Sequence, residues 1–78
     1  MVARRGDQAF GTAVRRLRER RKLSQERLGE LSGLHRNYIG GLERGELNPT
    51  LRTIQKLAAA LAMKPSQLLA AAERQQQR

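Results

Sequence analysis

The stretch that most constrains this chain runs from Gln25 to Arg44, QERLGELSGLHRNYIGGLER. It reads as two short helices joined by a tight turn at Ser32, Gly33 and Leu34. Gly33 stands where a chain leaves a helix through a left-handed residue, a conformation glycine adopts without a steric penalty. The second helix spans about Arg36 to Glu43 and contains two consecutive glycines, Gly40 and Gly41. Each costs a helix interior about 1 kcal/mol against alanine. Two such residues in mid-helix predict a bare surface kept for close approach.

The flanking sequence extends the helical reading. Residues 1–6, MVARRG, are expected to form a flexible basic arm, with Arg4 and Arg5 placed to meet a minor groove or phosphates. Asp7 is the expected N-cap of a first helix running to about Arg21. Phe10, Ala13, Val14 and Leu17 form its apolar stripe at i, i+3, i+4 and i+7, and arginines occupy most of the rest. Ser24 is placed to cap the second helix, with Leu23 and Leu28 set for a hydrophobic staple. Leu28 and Leu31 are expected inward, and Gly29 small where the next helix crosses. His35 is placed to cap the third helix, where Ile39 and Leu42 face inward and Arg36, Asn37, Gly40 and Gly41 outward. Thr50 caps a fourth helix with the stripe Leu51, Ile54, Leu57, Ala58 and Leu61. Pro65 suits the first position of a fifth, whose apolar residues are Leu68, Leu69 and Ala72. The polar residues from Glu73 to Arg78 are expected to fray, leaving one domain over residues 7–74 and a polar tail over 75–78. Five short amphipathic helices with short connections predict an all-α, compact five-helix domain.

Composition narrows the function. At 78 residues the chain supports one domain with a thin core, which makes oligomerisation attractive. It has no cysteine, one histidine, one aspartate and no phosphate loop, so neither an enzyme, a metal site nor a cofactor is expected. No apolar run approaches the length that spans a bilayer, and no leader pattern opens the chain, so a cytoplasmic protein without a membrane partner is expected. The net charge of +9, carried mostly by arginine, draws polyanions. RNA is the weaker target, because Phe10 and Tyr38 are the whole aromatic complement available for stacking on bases.

The pattern Gln25, Leu28, Gly29, Gly33, Leu34, Ile39, Leu42, Glu43, Arg44 and Gly45, with its Ser-Gln-Glu opening and the later Asn-Pro-Thr, resembles the helix-turn-helix of the lambda-repressor/Cro-like family. The resemblance covers about residues 9–70, and GLHRNYIGGLERG is most similar to the controller proteins of restriction–modification systems. Ser32 and His35 depart from the usual pattern, which favours an apolar residue and Ser, Asp or Thr there. The family docks its third helix in the major groove of double-stranded DNA. The resemblance therefore implies base contacts from Arg36, Asn37, Tyr38 and Gly40, with Arg36 matched to guanine and Asn37 to adenine. It implies phosphate contacts from Ser24, Gln25, His35, Arg44, Asn48, Thr50 and Arg52, and a structural pair between Arg18 and Glu43. A homodimer on a pseudo-palindromic operator follows, with Leu61, Met63, Leu68 and Leu69 as interface candidates, although Leu68 and Leu69 equally suit the monomer core. RNA polymerase is a further candidate partner. With no room for a sensor domain, no small-molecule ligand is expected, and the protein would respond to its own concentration. The rival reading is an antitoxin-like or co-activator-like helix-turn-helix whose main partner is a protein.

Overall fold

The computed structural model describes residues 5–77. Helices α1 (Arg5–Arg20), α2 (Gln25–Ser32), α3 (Arg36–Glu43), α4 (Leu51–Ala60) and α5 (Pro65–Gln76) follow in order, with no strand among the described residues. The starts obey local chemistry. Ser24 Oγ accepts the Arg27 amide at 2.9 Å, His35 Nδ1 accepts the Asn37 amide at 3.0 Å, and Thr50 Oγ1 accepts the Thr53 amide at 3.1 Å. Each satisfies one of the orphan donors of a helix start. Pro65 opens α5, and Gln67 Oε1 reaches back to the Lys64 amide at 2.8 Å.

Two bounds differ from expectation. Helix α1 already begins at Arg5, so Asp7 sits inside its first turn, where it faces the positive end of the helix dipole, and does not cap it. The arm expected over residues 1–6 is thus helical at Arg5 and Gly6, and its first four residues lie outside the described ones. Helix α5 continues to Gln76, well into the segment expected to fray; Arg78 lies outside the described residues.

The core joins all five helices through Phe10, Val14, Leu28, Ile39, Leu42, Leu57, Ala58, Leu61 and Leu68. Leu31 and Leu51, expected inward, are 46% and 68% exposed. Helix α2 buries Leu28, Gly29 and Ser32 instead. A Cβ on Gly29 would lie 2.5 Å from the Leu34 carbonyl oxygen, so the turn approaches on that side and rolls Leu31 outward. Leu51 opens α4 and overhangs the core, as the first residue of a short helix can.

Gly11 was invisible to pattern reading. A Cβ there would run into the Leu42 carbonyl and lie 2.8 Å from the Glu43 carbonyl oxygen. Helix α1 therefore crosses the end of α3 backbone against backbone. Arg18, seven residues further along the same face, is delivered to Glu43 by that crossing.

Candidate nucleic-acid interface

The centre of the candidate site is a closed polar knot. Glu43 at the end of α3 accepts from Arg18 Nε at 2.7 Å and Nη2 at 3.1 Å, a bidentate fork. Arg18 Nη1 donates to the Leu23 carbonyl at 2.8 Å. Gln25 Nε2 donates to the same Glu43 carboxylate at 3.0 Å. The two charged side chains are only 12% and 4% exposed. The hydrogen bonds to Glu43 raise the Arg18 pKa above its already high ordinary value, against the opposing effect of burial. One carboxylate thus ties α3 to α1, to the α1–α2 connection and to the first residue of α2. Arg18 in turn neutralises the acid that would otherwise repel a polyanion from α3.

The start of α2 touches this knot through Gln25, and the starts of α3 and α4 carry further donors. At α2, one Gln25 amide proton is spent on Glu43 and the Arg27 backbone amide on Ser24; the second Gln25 proton and the backbone amides of Gln25 and Glu26 remain for an anion. At α3, His35 uses Nδ1 as the cap acceptor, which leaves the proton of the neutral ring on Nε2 as a donor. Asn37 is exposed and its side chain is uncommitted, as are those of Asn48 and Arg52. At α4, Thr50 Oγ1 donates to Thr53 Oγ1 at 3.0 Å, and Thr53 Oγ1 lies 3.3 Å from the half-buried Tyr38 hydroxyl. Either hydroxyl can donate in the Tyr38–Thr53 bond. Thr53 is buried and pattern reading missed it; its only sequence signal was its place three residues after the cap.

Two of the exposed arginines expected to meet DNA, Arg36 and Arg44, are not bare. Arg36 Nη1 bonds Glu26 Oε2 at 2.8 Å, bridging α3 to α2. Arg44 forks onto Glu46 through Nε at 3.0 Å and Nη2 at 3.1 Å. That fork raises the Arg44 pKa and holds the Glu46 carboxyl below the usual carboxylate range. Both acids were missed in the sequence, where nothing marks a glutamate ten residues upstream as the partner of Arg36.

The glycine pair has a different role from the one expected. Gly40 and Gly41 are both buried, not outward-facing. A Cβ on Gly40 would lie 3.1 Å from Arg44 Nη1 and 3.5 Å from Gln25 Oε1, so Gly40 makes room for two side chains. A Cβ on Gly41 would lie 2.8 Å from Leu47 Cδ1, so Gly41 seats the α3–α4 connection. Neither presents open helix surface: Gly40 lies under the Arg44 and Gln25 side chains and Gly41 under Leu47.

The interface candidates divide as well. Leu61 and Leu68 are wholly buried within the protomer, so neither side chain is free to meet a second copy. Met63 packs partly against the core, and Leu69 is 42% exposed. Leu69 joins Phe10, Pro49, Ile54 and Ala72 along a groove of about 440 Å³. Among the described residues no cluster of acids and histidine could hold a metal, and no helix is long and apolar enough to cross a membrane.

An α2–turn–α3 unit locked by Glu43, with three side-chain-capped helix starts and exposed arginines, is the arrangement of a helix-turn-helix DNA-binding protein. The chain belongs to the helix-turn-helix family, which matches residues 14–68. It is 54% identical over 56 residues to control protein C.SmaI of Serratia marcescens, covering 72% of this chain and 67% of the relative. It is 43% identical over 61 residues to control protein C.BamHI of Bacillus amyloliquefaciens, covering 77% and 75%. The crystal structure of the restriction-modification controller protein C.AhdI from Aeromonas hydrophila matches with a TM-score of 0.77 at 50% identity, over 80% of this chain and 94% of that one. The protein is a transcriptional regulator of this family and not an enzyme.

Proposed function

We propose that this protein is a cytoplasmic, sequence-specific regulator of the restriction–modification controller type. It acts as a homodimer on a pseudo-palindromic operator with half-sites roughly one DNA turn apart, and it governs its own gene. The observation that carries the reading is the Glu43 knot. It fixes α3 against both α1 and α2 while leaving Arg36 and Asn37 exposed at the leading end of α3. In the complex Arg36 exchanges Glu26 for guanine O6 and N7, and Asn37 reads an adjacent base. Gln25, His35, Arg52 and the Thr50 backbone amide grip phosphates and hold the register. Arg44 exchanges Glu46 for a backbone phosphate, and the Tyr38 hydroxyl serves as a further donor.

The dimer forms through the Leu69 groove. Coupled dimerisation and operator binding then make occupancy steeply dependent on protein concentration, which suits autoregulation. The position of the operator relative to RNA polymerase sets the sign of regulation. The test is a gel shift on DNA upstream of the protein's own gene, with competitor duplex at two salt concentrations. A complex that survives competition is expected; equal binding to every duplex overturns the proposal. Sedimentation should show a dimer at tens of micromolar that Leu69→Glu converts to monomer.

A further inference from the structure

The distribution of acids over this protein is uneven in a way DNA reading does not explain. Glu19, Glu26, Glu30, Glu43 and Glu46 each pair with one arginine: Arg15, Arg36, Arg27, Arg18 and Arg44. The two remaining described acids, Asp7 and Glu73, line the Leu69 groove on one side of α5. On the other side of α5 lies a narrow cleft against α1, about 160 Å³ in volume. Its rim is Arg16, Arg20, Arg74 and Gln75, and its floor is Ala13, Leu17 and Ala71. None of these three arginines meets a carboxylate or any other hydrogen-bond partner among the described residues. Arg16 and Arg20 form a like-charge pair at i,i+4, a spacing that destabilises a helix. The fold has drawn three cations together and provided no counter-charge.

We infer that this cleft binds a small phosphorylated molecule through a condensed, pyrophosphate-type group held by Arg16, Arg20 and Arg74, with Gln75 as a neutral donor. Three arguments select this ligand. A carboxylate carries one charge and is neutralised by one guanidinium, whereas a condensed phosphate has the oxygens and charge for three. The floor is too small and too sparsely apolar to anchor an acidic peptide. A duplex seated on α3 does not reach the cleft, because Arg16 and Arg20 lie about 200° around α1 from Arg18, which faces α3. The inference departs from the expectation that the protein takes no small ligand, and it does not depend on the operator reading.

Arg20 and Arg74 stand in the last turns of their helices, where a cation is favoured by the dipole alone. Arg16 does not, which makes Arg16→Gln the discriminating variant. The experiment follows arginine Nε–H resonances of the full chain during titration with inorganic pyrophosphate at constant ionic strength. The resonances of Arg16, Arg20 and Arg74 should move together and saturate. Arg16→Gln should weaken binding at least tenfold and leave duplex binding unchanged, while Lys56→Gln, which removes the same charge elsewhere, should leave pyrophosphate binding unchanged. Shifts spread over all exposed arginines without saturation overturn the inference. So does citrate binding as tightly as pyrophosphate, which would show charge attraction alone. A loss of duplex affinity in Arg16→Gln without saturable pyrophosphate binding would assign the cleft to flanking DNA and likewise overturn it.

Discussion

Replacing Glu43 by alanine should be the most damaging single polar change in this protein. Arg18 is 12% exposed and directs Nε and Nη2 at Glu43, keeping only Nη1 for the Leu23 carbonyl. Alanine strands that cation and also frees the Gln25 amide. Breaking one side of a buried pair costs about 3–5 kcal/mol. The surviving Leu23 bond and the exposed edge of Arg18 place this case near the lower end, at about 3 kcal/mol. A domain of this size holds only roughly 4–12 kcal/mol of stability in total. At about 4–8 °C per kcal/mol, the melting temperature should fall by roughly 12–24 °C. Thermal unfolding followed by helical circular dichroism measures it. The double variant Arg18→Met with Glu43→Leu removes both charges and should recover most of the loss, since a buried pair is often replaceable by apolar residues. A Glu43→Ala protein that melts where the parent does would refute the reasoning, and a double variant no better than the single would show that geometry rather than charge is at stake.

Other outcomes follow from the same contacts. Arg36→Ala should cost operator binding about 1–3 kcal/mol and relax preference at one base position, whereas Gln25→Ala should weaken all duplexes alike; both are read by gel shift against operator variants. Glu46→Gln should strengthen binding to random duplex, because Arg44 no longer has to leave its fork. Since the folded Glu46 pKa is lowered, the fork is intact above the ordinary glutamate value and opens as pH falls through the folded one. Random-duplex affinity of the parent should thus rise on the acid side, and Glu46→Gln should lose that part of the pH dependence. Ala62 ends α4 with φ 55°, so Ala62→Gly should raise stability by about 0.5–1 kcal/mol, measured by urea unfolding. His35→Ala should lose about 1 kcal/mol with its cap.

Sequence alone determined most of what acts within one helical turn, Asp7 and the Arg44–Glu46 fork excepted. Ser24, His35 and Thr50 were legible as caps, Gly33 as the turn and Pro65 as a helix opener, because each satisfies or shapes backbone three or four residues away. The helix-turn-helix frame and the Arg18–Glu43 pair were legible from the resemblance, since they travel with a pattern of residues at fixed intervals. The tertiary structure alone decided what depends on how each helix is rolled about its axis and how closely two helices cross. It turned Leu31 and Leu51 outward, set Gly11 against the α3 backbone, and placed Leu47 over Gly41. It brought Glu26 to Arg36 and gathered Arg16, Arg20 and Arg74 around one cleft. A period of 3.6 residues marks a stripe but not which neighbour covers it. Charges meet across ten or more residues only after packing has fixed both backbones.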